Sequence, residues 1–455
     1  MSLIVSVSGI RGTIGGLEGK NLTPLDLVKF ASAYSVWLKK QSANPTIVIG
    51  RDGRLSGVMV SDLICSTMIA MGVNVIDAGL STTPSVEMQV ILKNLDGGII
   101  LTASHNPKEW NALKLLNSKG EFLSAEDGKE ILSIKETENF NYSSIENLGV
   151  VTKETNSIHD HIKSILNLDL VATEKIRQQN FHIIADVINS TGAIALPMLF
   201  DSLNCSYELI NKELNGDFAH NPEPLEANLI ELIEKSKSAD LGIAVDPDVD
   251  RLALVDENGN YFGEEYTLVC VSDYVLSKNS GNTVSNLSSS RALKDLTESY
   301  SQNYYASAVG EAHVVKKMKE VNAVIGGEGN GGVIYPPLHY GRDSLVGIAL
   351  LLSLMAESDL PLSKLKEKYS KYEMYKDKIQ LDENINYKHI VELLTQEFKD
   401  EKIDLTDGMK IDFKDSWVQL RKSNTEPIIR IYSEAKSLDE AENLVQNIKN
   451  KISKF

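Results

Sequence analysis

The sequence predicts an α/β fold: three similar α/β domains with mixed, mainly parallel sheets, then a C-terminal α+β domain, arranged around a central cleft. Three observations lead there. At 455 residues the chain is too long for one hydrophobic core. Up to about residue 368, short apolar runs alternate with helical patterns, the mark of βαβ units. From about Tyr369 the apolar runs follow one another closely, as in an antiparallel sheet.

In the first domain, expected over 1–150, Ser8 to Gly12 reads as a glycine-flanked loop carrying Arg11. Thr23 is a natural N-cap and Pro24 a natural first residue for a helix reaching Trp37. A strand at Thr46 to Ile49, a helix from Ser56 to Met71, a strand at Val73 to Ile76 and a helix opened by Pro84 follow. Gly98 to Leu101 is then a buried strand. A polar stretch from Thr137 to Glu154 marks the boundary. The second domain, 151–255, has strands at Phe181 to Asp186 and Leu241 to Val245, with helices at Ala193 to Phe200 and Leu225 to Lys235. The third, 256–368, has strands near Thr283, Tyr304 and Ala323. The three units share an element order but no obvious residue-level repeat. The fourth, 369–455, has strands at Ile411 to Phe413, Trp417 to Leu420 and Ile428 to Tyr432, then a helix from Leu438.

A formal net charge of −17 argues against nucleic acid or an anionic membrane as partner, and requires a local basic pocket for any anionic substrate. Cys65, Cys205 and Cys270 are scattered in apolar runs, with no zinc spacing or disulfide framework, so a reducing cytoplasm is expected. The opening MSLIVSVSGIRG has no signal-peptide pattern, and the longest apolar stretch, Val346 to Met355, is too short to span a bilayer.

Four stretches carry chemistry. After the strand ending at Leu101, Thr102-Ala103-Ser104-His105-Asn106-Pro107 presents a hydroxyl at a strand end; an ordinary strand-to-helix connection is the plainer alternative. After Val245, Asp246-Pro247-Asp248-Val249-Asp250-Arg251 sets three carboxylates at alternate positions. Their repulsion is resolved by a hard divalent cation, and magnesium keeps positions open for phosphate. A calcium loop is disfavoured because Arg251 stands where that loop needs glycine. An aspartyl nucleophile at Asp246 with Asp248 as acid/base is a further alternative, against which Arg251 to Val255 reads as the return strand of a hairpin. Gly326 to Gly332 surrounds Glu328 and Asn330 with glycines, which suits close approach to vicinal hydroxyls. Arg421-Lys422-Ser423-Asn424-Thr425-Glu426-Pro427 supplies donors for a phosphate, or is a polar hairpin loop. Together the four make a cleft that handles a phosphosugar.

These motifs, in this order and over essentially the whole chain, resemble the α-D-phosphohexomutase superfamily. The resemblance implies a reversible shift of phosphate between the 1- and 6-positions of a hexose, through an enzyme phosphoserine and a sugar 1,6-bisphosphate. It implies that Ser104 carries the phosphoryl group and that Asp246, Asp248, Asp250 and a Ser104 oxygen hold Mg²⁺. Arg11 and Lys114 match basic residues beside the phosphoserine, with Lys114 the general acid/base; His105 and Arg251 adjoin the transferred phosphate. Glu328, Asn330 and His313 match sugar-binding positions, and Arg421, Ser423, Asn424 and Thr425 the remote phosphate clamp. A monomer or homodimer is expected by the same analogy. Two details bear on the sugar. The glycine-rich loop with Asn330 in place of serine is similar to phosphoglucosamine mutases, whereas Asn424 is similar to phosphomannomutase/phosphoglucomutases. Glucosamine phosphate is the leading expectation and the neutral hexose phosphates the alternative.

Overall fold

The computed structural model describes residues 2–6, 9–380, 387–422 and 428–452. Four sheets succeed one another along the chain, with seven, four, four and five strands. One plan recurs in the first three. Three strands run parallel, and the third turns back in an antiparallel hairpin. In the first sheet these strands are Thr46–Arg51, Asn74–Leu80, Gly97–Leu101 and Trp110–Leu116. In the second they are His182–Asp186, Ser206–Ile210, Leu241–Val245 and Leu252–Val255. In the third they are Asn282–Asn286, Tyr304–Ser307, Ala323–Glu328 and Gly332–Ile334. Each time the first strand lies between the other two parallel strands. The units expected to be similar are thus similar down to strand pairing.

This plan corrects three local expectations. The residues after Ser104 do not enter a helix; they return as Trp110–Leu116, with Lys114 opposite Ile100. Arg11 is not in a loop but on strand Gly9–Thr13, opposite Ala112. Gly9 is required there: its φ is +130°, and a Cβ would come within 2.5 Å of Leu113 O. The helix expected over Leu225 to Lys235 is a 3₁₀ turn, Glu226–Asn228, then a short helix, Ile230–Ser236. Asn228 interrupts it by donating from its side chain to Glu223 O at 2.8 Å.

Elsewhere local chemistry acts as the sequence suggests. Helix Pro24–Lys39 starts at a capping box in which Thr23 and Asp26 satisfy each other's backbone amides. The apolar run near Val346 is a core helix, Ser344–Ser358, buried from Ser344 to Ala356. No described helix is long and apolar enough to cross a membrane. One hydrophobic cluster runs from Ile158 to Tyr369 and serves both the second and third sheets. The first sheet reaches from Ile4–Ser6 at one edge to Val151–Lys153 at the other.

The fourth sheet is antiparallel throughout, in the order Glu373–Gln380, Ile428–Ala435, Trp417–Lys422, Met409–Asp412, Lys402–Asp404. It docks on the third unit through Arg291. That guanidinium donates to Phe413 O at 2.7 Å and to Lys414 O and Ser416 O at 2.9 Å, and pairs with Asp412.

Candidate active site

The three equivalent hairpin loops meet. The first holds Ser104, the second Asp246 to Arg251, and the third joins Glu328 to Gly332. Ser104 has a left-handed backbone, φ +49°, and Val249 a rarer one for a branched residue, φ +61°. Such geometry costs on the order of 1–3 kcal/mol and persists only where neighbours impose it.

The neighbours are visible. Arg54, buried, reaches under the serine loop. Its Nη1 donates to Pro107 O at 2.7 Å and Trp110 O at 2.9 Å, and its Nη2 to Asn106 O at 2.7 Å and to Ser104 O. Asp52 pairs with Arg54 at 2.9 Å and accepts from Thr102 Oγ1 at 2.7 Å, and Thr102 Oγ1 accepts from Ser104 N at 2.9 Å. On the aspartate loop, Ser190 and Thr191 donate to Pro247 O at 2.6 and 2.8 Å. Ser190 Oγ also accepts from Gly53 N at 2.9 Å, which ties together the segments that support the two loops.

Ser104 Oγ donates to Asp246 Oδ2 at 2.5 Å. Asp246 Oδ1 accepts from the amides of Asp250 and Arg251, at 3.0 and 3.1 Å. Asp248 Oδ2 takes Thr83 Oγ1 at 2.5 Å and Lys114 Nζ at 2.7 Å; Asp250 Oδ2 takes Lys114 at 3.1 Å and Arg342 Nη2 at 2.7 Å. The three carboxylates are fully buried and can present oxygens within 4.8 Å of one another. Asp248 Oδ1 and Asp250 Oδ1 have no hydrogen-bond partner. Burial, then Asp248 and Asp250, push Asp246 well above the ordinary aspartate range. Asp250 goes the other way: burial would raise it, but Arg342 and Lys114 hold it low. Clustered anions with unpartnered oxygens are a donor set that a hard divalent cation fits.

Cations face this group. Burial would lower Lys114, but Asp248 and Asp250 outweigh it and keep the ammonium protonated. Arg251 pairs with Glu223, while its Nε has no hydrogen-bond partner and lies 4.0 Å from Asp246 Oδ2 and Asp250 Oδ1. Arg11 Nε is also unpartnered; burial and the nearby Arg251 and Arg430 weaken its hold on a proton. His105 Nδ1 lies 3.4 Å from Ser104 Oγ and Nε2 3.3 Å from Glu223. Burial and Arg251 keep that ring neutral at neutral pH.

Two chambers form the cleft. One of about 280 Å³ is lined by Ser104, Lys114, Arg11, His105, Arg251, Glu328 and Asn330. The other, about 720 Å³, shares Arg11, His105, Arg251 and Asn330 and extends to Lys376, Arg421 and Arg430. Glu328 is held by Arg342 at 3.0 Å, Gly310 N at 3.0 Å and Asn286 Nδ2 at 2.9 Å. His313 is exposed and lines an adjoining cavity with Lys316 and Lys319, not the serine chamber. Ser423, Asn424 and Thr425 lie outside the described residues; Arg421, at the strand end before them, faces Asp407 at 3.4 Å.

Sequence reasoning passed over Arg342, Arg54 and Glu311. Arg342 gathers Asp250, Glu328 and Glu311, the last at 2.9 Å. Its only signal was an arginine in the polar turn before a mainly apolar helix.

Family descriptions of phosphoglucomutase/phosphomannomutase match in sequence: α/β/α domain I over 3–142, domain II over 159–259, domain III over 263–372 and the C-terminal domain over 378–451. A Thermococcus kodakarensis protein named phosphoglucomutase/phosphomannomutase is 37% identical over 439 residues, 94% of this chain and 95% of its own. This chain belongs to that family. A Sulfurisphaera tokodaii phosphoglucosamine/phosphogalactosamine mutase is 32% identical, with 99% of each chain covered. A solved Burkholderia thailandensis family protein superposes with a TM-score of 0.84 at 24% identity, over 99% of this chain and 97% of its own, which extends the likeness to the whole four-domain fold. The chain is accordingly a mutase, an isomerase that relocates a phosphoryl group within its substrate.

Proposed function

We propose that this mutase interconverts hexose 6-phosphate and hexose 1-phosphate through phosphorylated Ser104 and a sugar 1,6-bisphosphate, with glucosamine 6-phosphate and glucosamine 1-phosphate as the pair. The observation that carries the reading is Ser104 Oγ, 2.5 Å from Asp246 in a ring of three buried carboxylates, with Lys114, Arg251 and Arg11 around it. That surrounds a phosphate carrier with charge. It does not equip a hydrolytic serine, since His105 is 3.4 Å away and its other nitrogen faces Glu223, not a buried orienting carboxylate.

Placement supports the following roles. Asp246, Asp248, Asp250 and an oxygen on Ser104 would hold Mg²⁺, which would offset charge on the phosphoryl oxygens. Arg11 and Arg251, whose Nε donors have no hydrogen-bond partner, receive the phosphate oxygens. Lys114 exchanges a proton with the sugar hydroxyl as its oxygen gains or loses the phosphorus. In the forward half, the substrate hydroxyl bonds to phosphorus and the bond to Ser104 Oγ breaks, leaving a bisphosphate. After the sugar turns over, Ser104 takes the other phosphate. Glu328 and Asn330 bind hydroxyls in both orientations, and the loop after Arg421 grips the remote phosphate. Domain boundaries at 150, 255 and 368 and movement of the C-terminal unit about the Arg291 contact are part of the same proposal.

Glucosamine is favoured by the glycine-rich loop around Asn330. The neutral hexoses are a second reading, favoured by the 37% identity of the Thermococcus kodakarensis protein. Turnover of glucosamine 6-phosphate, mannose 1-phosphate and glucose 1-phosphate on one preparation decides between them. The amino sugar is expected to have the highest kcat/KM; tenfold preference for either neutral sugar rejects it.

A further inference from the structure

Away from the cleft, one buried group of side chains has no part in this chemistry. His161 projects from helix Ser157–Leu166, His339 precedes helix Ser344–Ser358, and Asp343 caps that helix. All three are buried, at 0%, 3% and 0% exposure. His161 Nε2 lies 2.9 Å and His339 Nε2 3.2 Å from the same oxygen, Asp343 Oδ2. The two rings stand nearly perpendicular, at 87°, with centroids 5.9 Å apart. From this convergence we propose that His161 Nε2, His339 Nε2 and Asp343 Oδ2 form a second metal site, for a divalent ion of the zinc class, joining the first three structural units.

The outer contacts suit a metal. Asp343 uses Oδ1 for the helix, accepting from Leu345 N at 2.8 Å and Val346 N at 3.3 Å, which leaves Oδ2 for the ion. His161 Nδ1 lies 3.0 Å from Ser85 Oγ. His339 Nδ1 lies 3.3 Å from Glu87 Oε2. The Ser85 contact orients the His161 ring with Nε2 toward the ion, and the Glu87 carboxylate lies behind the His339 ring as in carboxylate–histidine–zinc arrangements. Glu87 is the independent observation. It is fully buried, it points at this group, and neither of its oxygens has a well-formed hydrogen bond. Gly341 makes room for it, since a Cβ there would lie 1.9 Å from Glu87 Oε2 and 2.9 Å from His339 Cε1. Without a cation, two carboxylates are buried against two imidazoles, and only protons on the rings can balance them. Two imidazoles and one carboxylate are a zinc-type set, distinct from the all-oxygen set at Asp246, Asp248 and Asp250.

The ion would bridge helix Thr83–Leu92 through Glu87, helix Ser157–Leu166 and the start of Ser344–Ser358. It would lie one residue from Arg342, and so would brace the side chain that positions Glu328 and Asp250.

Co²⁺ is the test probe, added to the chelator-stripped full chain carrying Asp246→Asn, which disables the oxygen site. One equivalent is expected to bind, with the visible absorption of a low-coordinate nitrogen-ligated ion. Adding His161→Gln should abolish those bands, and Glu87→Gln should weaken binding on the order of 10- to 100-fold. X-ray absorption on Co²⁺-loaded wild-type protein gives a readout that needs no variant: imidazole scattering is expected. An all-oxygen shell in the wild type, or no Co²⁺ bound by the Asp246→Asn protein, overturns the proposal and leaves ring protons as the balancing charge.

Discussion

At the serine end of the cleft, Asp246, Asp248 and Asp250 are wholly buried, and each is fixed by amides, Thr83, Lys114 or Arg342. At the far end, Arg421 has a side chain 26% exposed, and its ion pair to Asp407 spans 3.4 Å. The difference matches two tasks. Phosphoryl transfer gains from fixed charge at the reacting oxygens, because reorganisation there is paid in rate. Gripping a remote phosphate that alternates between two sugar positions needs charge without a single geometry. On the proposed mechanism the closed end governs kcat and the open end governs binding.

Arg342→Lys challenges the closed end most severely. A lysine cannot reach three carboxylates with one planar fork. The variant is expected to lose about 10²-fold in kcat, with a smaller change in KM, because Asp250 and Glu328 lose their common anchor. A kcat within a factor of two of wild type would show that the closed end tolerates play. Arg421→Ala tests the open end. It should raise KM about tenfold and leave kcat nearly intact, the pattern of lost uniform binding. A fall in kcat alone would place Arg421 with the reacting groups and erase the contrast.

The smallest effect concerns stability. Burial and its two neighbours make Asp246 bind a proton more tightly folded than unfolded. Ionising it therefore costs stability, fully absent below the ordinary aspartate range and growing as pH rises toward its folded value. In chelator at neutral pH, Asp246→Asn should melt about 3 °C above wild type. The gap should close on acidification to the aspartate range, and Mg²⁺ should reverse it by stabilising only the wild type. A wild type that remains the more stable protein in chelator at neutral pH contradicts this sign.

The same contrast separates what could be read from sequence from what could not. Ser104 and the aspartates were legible because the chemistry sits in contiguous residues after an apolar strand. Arg342 was not, because its partners Asp250, Glu311 and Glu328 are 92, 31 and 14 residues away. Arg54 was hidden for the same reason: it acts on carbonyls 50 to 56 residues on. The hairpin after Ser104 was missed because Asn106 and Pro107 serve a helix entry and a tight loop equally well. Once Trp110–Leu116 is seen to return, Lys114 is placed, and the loops of the first three sheets become equivalent positions of one plan. His313 was assigned by motif order, and the fold sets it in the adjoining cavity.

On the proposed mechanism Ser104 carries the phosphoryl group, and Asp246 helps to hold the metal without being phosphorylated itself. Mass spectrometry of the phosphorylated enzyme, with Ser104→Ala beside it, separates the two residues. An acid-stable phosphate is expected on the peptide bearing Ser104, and in the alanine variant no label and activity lower on the order of 10³-fold or more. A hydroxylamine-labile phosphate on Asp246, retained in Ser104→Ala, would contradict it.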